Sequence, residues 1–199
     1  MKPTLWIALG SLALGASIAS ASRPVHFNAQ EKGKPYIQDE PRGLARVVYF
    51  GDHGIAAEYS IEYGKPAWKD EYDKMLKGRV RLGNNYWTTL DTWNGLTIGD
   101  MEVKVGQYFL ALECSDKNQW SLVLLDPEPL RKGKVDAYSS NGTKGGLLAP
   151  MKHEESKEAA DTLSIKFVGD AKDPKLQTLE IRFGKHSLTA AVKPKGLSQ

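Results

Sequence analysis

Six side chains able to hold a ligand fall in one short stretch, residues 79–93: Arg79, Arg81, Asn85, Trp87, Asp91 and Trp93. One residue separates Arg79 from Arg81. On a strand the two would share a face and could grip an anionic group bidentately. Gly83 and the amides of Asn84 and Asn85 follow directly. Along residues 86–93, alternation puts Trp87, Thr89, Asp91 and Trp93 on one face, and Tyr86, Thr88, Leu90 and Thr92 on the other. Two indoles with a carboxylate between them could stack on sugar rings, with Asp91 accepting hydroxyl hydrogen bonds and the indole N–H groups adding polar contacts. The same residue types also suit plain packing. Large aromatics pack well across strands, and the arginines could pair with nearby carboxylates such as Glu58 or Glu62 at an exposed edge.

Other chemistry has weaker support. His26, His53, His153 and His186 are isolated in sequence. His153-Glu154-Glu155 lacks the second histidine that a zinc-protease helix carries four residues on. Asp52-His53 could ligate an ion, but Asp and Gly there already serve a tight turn. The expectation is therefore no metal and no cofactor. There is no G-x-S-x-G elbow, and S-x-x-K lacks its companion motifs. GTKGG lacks phosphate-loop spacing. A glycosidase-type carboxylate pair, such as Asp91 with Glu113 on a neighbouring strand, stays open because such pairs need not be close in sequence. Asn141-Gly142-Thr143 is a glycosylation sequon only in a eukaryotic secretory setting. Cys114 is the single cysteine, so no intrachain disulfide can form. It ends the apolar run YFLALEC and reads as a buried or strand-end thiol.

These side chains need elements to hold them, and the turn signals come at short intervals. LARVVYF, GDHG and IAAEYSIEY read as two strands about a tight turn. AWKDEYDKMLKG has Trp68, Tyr72, Met75 and Leu76 at helical spacing, with Gly78 placed as a C-cap. YWTTLDTW reads as a strand, and Asn94-Gly95 is the strongest hairpin signal in the chain. LTI, a Gly99-Asp100 turn, MEVKV, QYFLALEC and WSLVLLD complete an expected antiparallel meander. Pro127 and Pro129 end it. Residues 131–161 are the least regular part, with a helical turn expected over residues 154–160. TLSIKFVGD, LQTLEIRF and HSLTAAVK read as the last three strands, the final pair joined by a type II′ turn at Gly184-Lys185. The fold class this implies is all-β and mainly antiparallel: a β-sandwich or flattened barrel of about nine short strands with one or two short helices.

The beginning of the chain reads as a leader. Lys2, an apolar run over residues 5–16 and the triplet Ala19-Ser20-Ala21 form a secretory signal pattern, with cleavage expected after Ala21. Glycines and serines dilute the run below a membrane anchor. No transmembrane anchor is then expected, and the location is periplasmic or secreted. Residues 22–42 read as a flexible lead-in, 43–194 as a single domain and 195–199 as a polar tail. With 27 Lys and Arg against 24 Asp and Glu, dispersed along the chain, charge is too balanced for a nucleic-acid protein.

Residues 63–112 also resemble a known family. Tyr63-Gly64-Lys65-Pro66, Arg81-Leu82-Gly83-Asn84-Asn85 with Thr88, Ile98-Gly99-Asp100 and Val105-Gly106-Gln107-Tyr108 are similar to successive motifs of a bacterial secreted family catalogued as domain of unknown function 2911. The closing LEIRFGKHSLTAAV is similar to that family's last hairpin. Val80 stands at the family's tryptophan and Tyr86 at its glutamate, so a Trp-Arg-Glu cluster would lack its carboxylate here. The resemblance implies a bacterial, exported β-sandwich and no assigned activity. Together these readings predict a non-enzymatic binding or envelope-associated domain. Its partner would be a glycan, an anionic small molecule or an envelope protein. A hydrolase of an envelope polymer and a purely structural envelope domain are the alternatives.

Overall fold

The computed structural model describes residues 41–197. The leader and most of the lead-in lie outside the described residues. Ten strands run antiparallel in the order β1-β2-β4-β7-β8-β9-β10-β5-β6, with β3 beside β7 and the path not closed into a barrel. Their ranges are β1 Gly43–Gly51, β2 Gly54–Tyr63, β3 Gly78–Arg81, β4 Thr88–Thr92, β5 Leu96–Ile98, β6 Met101–Val103, β7 Gly106–Cys114, β8 Trp120–Leu125, β9 Leu147–Gly169 and β10 Gln177–Pro194. The first half of the path packs on the second as a sandwich. One apolar core, including Tyr59, Ile61, Leu90, Leu110, Leu122, Ile165, Leu179 and Leu188, draws on both halves. The all-β expectation holds, with ten strands in place of about nine.

Alternation on β7 shows how two cores arise. Leu110, Leu112 and Cys114 point into the sandwich. Phe109 and Ala111 point the other way, into a second cluster with Trp87, Val123, Leu125 and Ala137. That outer cluster is roofed by the segment following β8. Asp126 caps α1 (Pro127–Lys132) by accepting from the Glu128 amide at 2.9 Å. Proline at the first helical position loses no useful donor. Asp136 then caps a 3₁₀ turn, Ala137–Gly142. Two short elements with good caps thus form a lid over an otherwise exposed apolar face.

β9 belongs to both halves. Residues Leu147 to Met151 pair with β8, and Lys152 onward pairs with β10. Tyr59 also ties the halves together, its hydroxyl donating to Gln177 from a fully buried position. Burial pushes that phenol well above its ordinary range, so it stays a neutral donor.

Four sequence expectations are corrected. Asn94-Gly95 does not close a hairpin: β4 lies between β2 and β7, whereas β5 lies between β10 and β6. The turn therefore carries the chain between the two halves of the sandwich, and residues 86–126 are not one meander. Period-two patterning reports which face is buried and carries no information about the partner strand. The helix expected over residues 67–78 is confined to a 3₁₀ turn, Asp70–Met75, with no buried residue. Residues 154–160 lie within β9 rather than in a helical turn, because the register with β10 overrides their helical propensity. Finally, Gly184-Lys185 sits inside β10 at a register shift. A Cβ there would lie 2.4 Å from the Trp68 ring, and φ is +57°. The glycine marks a close packing contact; the turn between β9 and β10 is residues 170–176.

Candidate functional site

The stretch chosen from sequence is divided by the fold. Arg79 and Arg81 do share a face of β3, opposite Glu113 and Ala111 of β7. Arg79 is consumed there: its guanidinium bonds Glu113 at 2.8 and 3.0 Å and donates to the carbonyls of Thr143 and Gly145 at 3.1 and 3.0 Å. It ties the roof to the sheet. Trp87 is 8% exposed. Its ring stacks on Phe109 with centroids 5.0 Å apart and planes 1° from parallel, and its N–H meets the Val135 carbonyl at 3.4 Å. It is a core residue of the outer cluster. Asn85 occupies a left-handed turn position, φ 62°, which asparagine tolerates better than most residues. Asp91 is exposed on β4, and Trp93 is 61% exposed just beyond it.

Arg81 differs from the others. Its guanidinium carbon lies 4.0 Å from the centre of the Tyr138 ring, a cation–π contact. One of its terminal nitrogens, Nη1, is buried with no hydrogen-bond acceptor, and the same holds for Nη1 of Arg42. Arg42 otherwise pairs with Glu62 at 2.6 Å and donates to the Trp87 carbonyl at 2.9 Å. A buried cationic N–H without a partner is costly, at least about 1–3 kcal/mol.

The carboxylate pair considered for hydrolysis does not form. Asp91 faces Gln107, while Glu113 lies six residues farther along β7, roughly 20 Å away at the usual rise per residue. Glycosidase carboxyls act about 5–9.5 Å apart, and Glu113 is already occupied by Arg79.

A second constellation was not foreseen as a unit. His186 of β10 bonds Asp73 of the 3₁₀ turn, Nε2 to Oδ1 at 2.8 Å. Its Nδ1 lies 3.0 Å from Nε2 of His153 on β9. The ring centres are 5.2 Å apart, close to the N···N distance plus one ring radius at each end, so the nitrogens point at one another. Two indoles flank the pair: Trp120 near both rings, Trp68 near His186. Trp68 is itself held by its amide bonding Asp161 at 2.7 Å and by edge-on contact with Phe183. The straight gap between the imidazoles suits a hydrogen bond. A metal there would need about 2 Å to each nitrogen. Among the described residues no three His, Cys, Asp or Glu side chains converge on one point.

Beside His153 is a half-open hollow of about 500 Å³, lined also by Asn118, Gln119, Trp120, Ser121, Pro150 and Met151. Burial and the neighbouring His186 push the His153 pKa below the ordinary imidazole range, which keeps the ring neutral. Cys114 lies nearby in sequence register, opposite Trp120. Burial pushes its thiol up, so it is a protonated packing residue. Alternation could have placed His153 with Met151 and His186 with Leu188 on inward faces. Only the β9–β10 register brings the two rings together.

Comparison with family models, curated proteins and solved structures returned no match in any of the three. Among the described residues no helix is long and apolar enough to cross a membrane.

Proposed function

We propose that this chain is an exported, non-enzymatic β-sandwich domain that binds an anionic ligand at Arg81. Export rests on the leader pattern of residues 1–21 and on the resemblance of residues 63–112 to a secreted family. The observation that carries the binding reading is the buried, unpaired Nη1 of Arg81. A guanidinium nitrogen buried without an acceptor favours any group that supplies one. A carboxylate, a phosphate or the acid group of a uronic sugar would satisfy it, and Arg binds such groups with directional, charge-assisted bonds. Arg42 carries the same deficit and donates to the Trp87 carbonyl.

The test is thermal unfolding with increasing acetate, phosphate or glucuronate, comparing wild type with Arg81→Met. Methionine keeps much of the stem and removes the donors. The expected result is a saturable rise in Tm with at least one anion in wild type and none in the variant. Equal responses in both proteins, or none in either, would remove the reading. A second reading, a structural envelope domain, is favoured by the use of Arg79 and Trp87 in tying the roof to the sheet. It predicts that no anion distinguishes the two proteins.

A further inference from the structure

A second ligand site follows from the proton count of the His153–His186 pair. The carboxylate of Asp73 can only accept, so Nε2 of His186 must carry hydrogen. When the imidazole pair carries no net charge, Nδ1 of His186 is then bare and can only accept, so Nε2 of His153 must donate across the 3.0 Å contact. One nitrogen remains: Nδ1 of His153, which takes no part in the contact with His186 and, bare in that state, can only accept through its lone pair. Two hydrogen bonds and one carboxylate thus fix the tautomers of two rings in series. A carboxylate that sets the tautomer of a histidine base follows the same orienting logic, here from an exposed Asp73. The ring carrying that lone pair lines the 500 Å³ hollow, a volume suited to a small molecule. Trp120, Pro150 and Met151 give the hollow an apolar wall, and Asn118, Gln119 and Ser121 give it polar groups.

We propose that this hollow binds a small planar molecule bearing one O–H or N–H donor, such as a phenol, with Nδ1 of His153 as the acceptor. The site is separate from the Arg81 reading and stands on different residues. Adding one proton to the imidazole pair puts hydrogen on His153 Nδ1, whichever ring formally holds the charge. The acceptor then becomes a donor and the ligand is refused. The charged groups facing His153 are few. His186 on β10 opposes its protonation, Glu155 on β9 favours it, and Asp73 acts through His186.

The probe is phenol, with anisole as the matched molecule lacking the donor. Ligand titrations of the full chain by NMR or calorimetry are run at neutral pH and in mild acid. Phenol is expected to bind about tenfold more tightly than anisole at neutral pH, the value of one hydrogen bond. His153→Phe and mild acid should each bring phenol down to the anisole level. Long-range proton–nitrogen correlation spectra of the wild type should show both rings as Nε2–H tautomers at neutral pH, a readout that needs no variant. Equal binding of phenol and anisole, binding of neither, or an Nδ1–H tautomer for His153 at neutral pH would overturn the proposal.

Discussion

Two regions of this molecule treat polar and aromatic residues in opposite ways. In residues 79–93 the candidate groups are neighbours in sequence and strangers in space. Arg79, Trp87, Asp91 and Trp93 all lie on the outer face of the sheet; the roof covers Trp87 and Arg79 and stops short of Asp91 and Trp93, which stay in solvent. At the corner where β9 leaves β8 for β10 the reverse holds. Asp73, His153 and His186 come from three separate segments and end in one hydrogen-bonded line. A cluster in sequence is split by where the roof ends. A cluster in space needs strand register to assemble it.

The sharpest way to break that comparison is through the tryptophans. Trp87→Ala should cost about 3–5 kcal/mol in urea unfolding, as expected for removing a packed aromatic from a core. Trp93→Ala should change stability by no more than about 0.5 kcal/mol. Similar losses for both would mean that the roof does not cover Trp87 and leave Trp93 bare as described. Next in size, Arg79→Ala should cost about 2–3 kcal/mol, since it strands Glu113 and two carbonyls. Amide hydrogen exchange should show residues 137–146 opening faster.

Gly184→Ala tests the other region. The added methyl meets the Trp68 ring at a left-handed position, so a loss of about 1–3 kcal/mol is expected. The His186–Asp73 bond should weaken with it, read from the histidine nitrogen shifts. The smallest effect is a pH dependence. The folded pKa of His153 lies below its unfolded value near 6.5. The unfolded chain therefore binds more protons between those two values, and stability falls as pH drops through that window. Above the unfolded pKa this contribution is fully present. His153→Phe should flatten the wild-type slope in mild acid; an unchanged slope would assign it to other groups.

Much of the fold was legible because burial leaves a periodic trace. The runs LARVVYF, IAAEYSIEY, QYFLALEC and WSLVLLD became β1, β2, β7 and β8 because β-branched and aromatic residues alternate or crowd there. Gly99-Asp100 is a true hairpin turn, with Ile98 opposite Met101. Asn94-Gly95 carries an equally strong signal and makes a crossover instead. A turn dipeptide sets local dihedrals, and the choice of which strand follows alongside belongs to the core. Residues 154–160 show the same limit: polar, helix-favouring residues extend because β10 pairs with Glu154, Glu155 and Ala160 on both sides of a register shift.

The sequence alone determined that this protein builds sheets, because a period of two with little helical amphipathicity has one economical burial solution. It determined equally that no sulfur crosslink holds the chain together. Tertiary structure decided which candidate residues the roof covers, which arginines keep an unpaired donor, and which histidines meet. The reason is physical. Alternation is encoded residue by residue, whereas pairing register and sheet-to-sheet crossover are properties of the whole packed chain, settled by the arrangement that fills the core and leaves the fewest backbone groups unbonded.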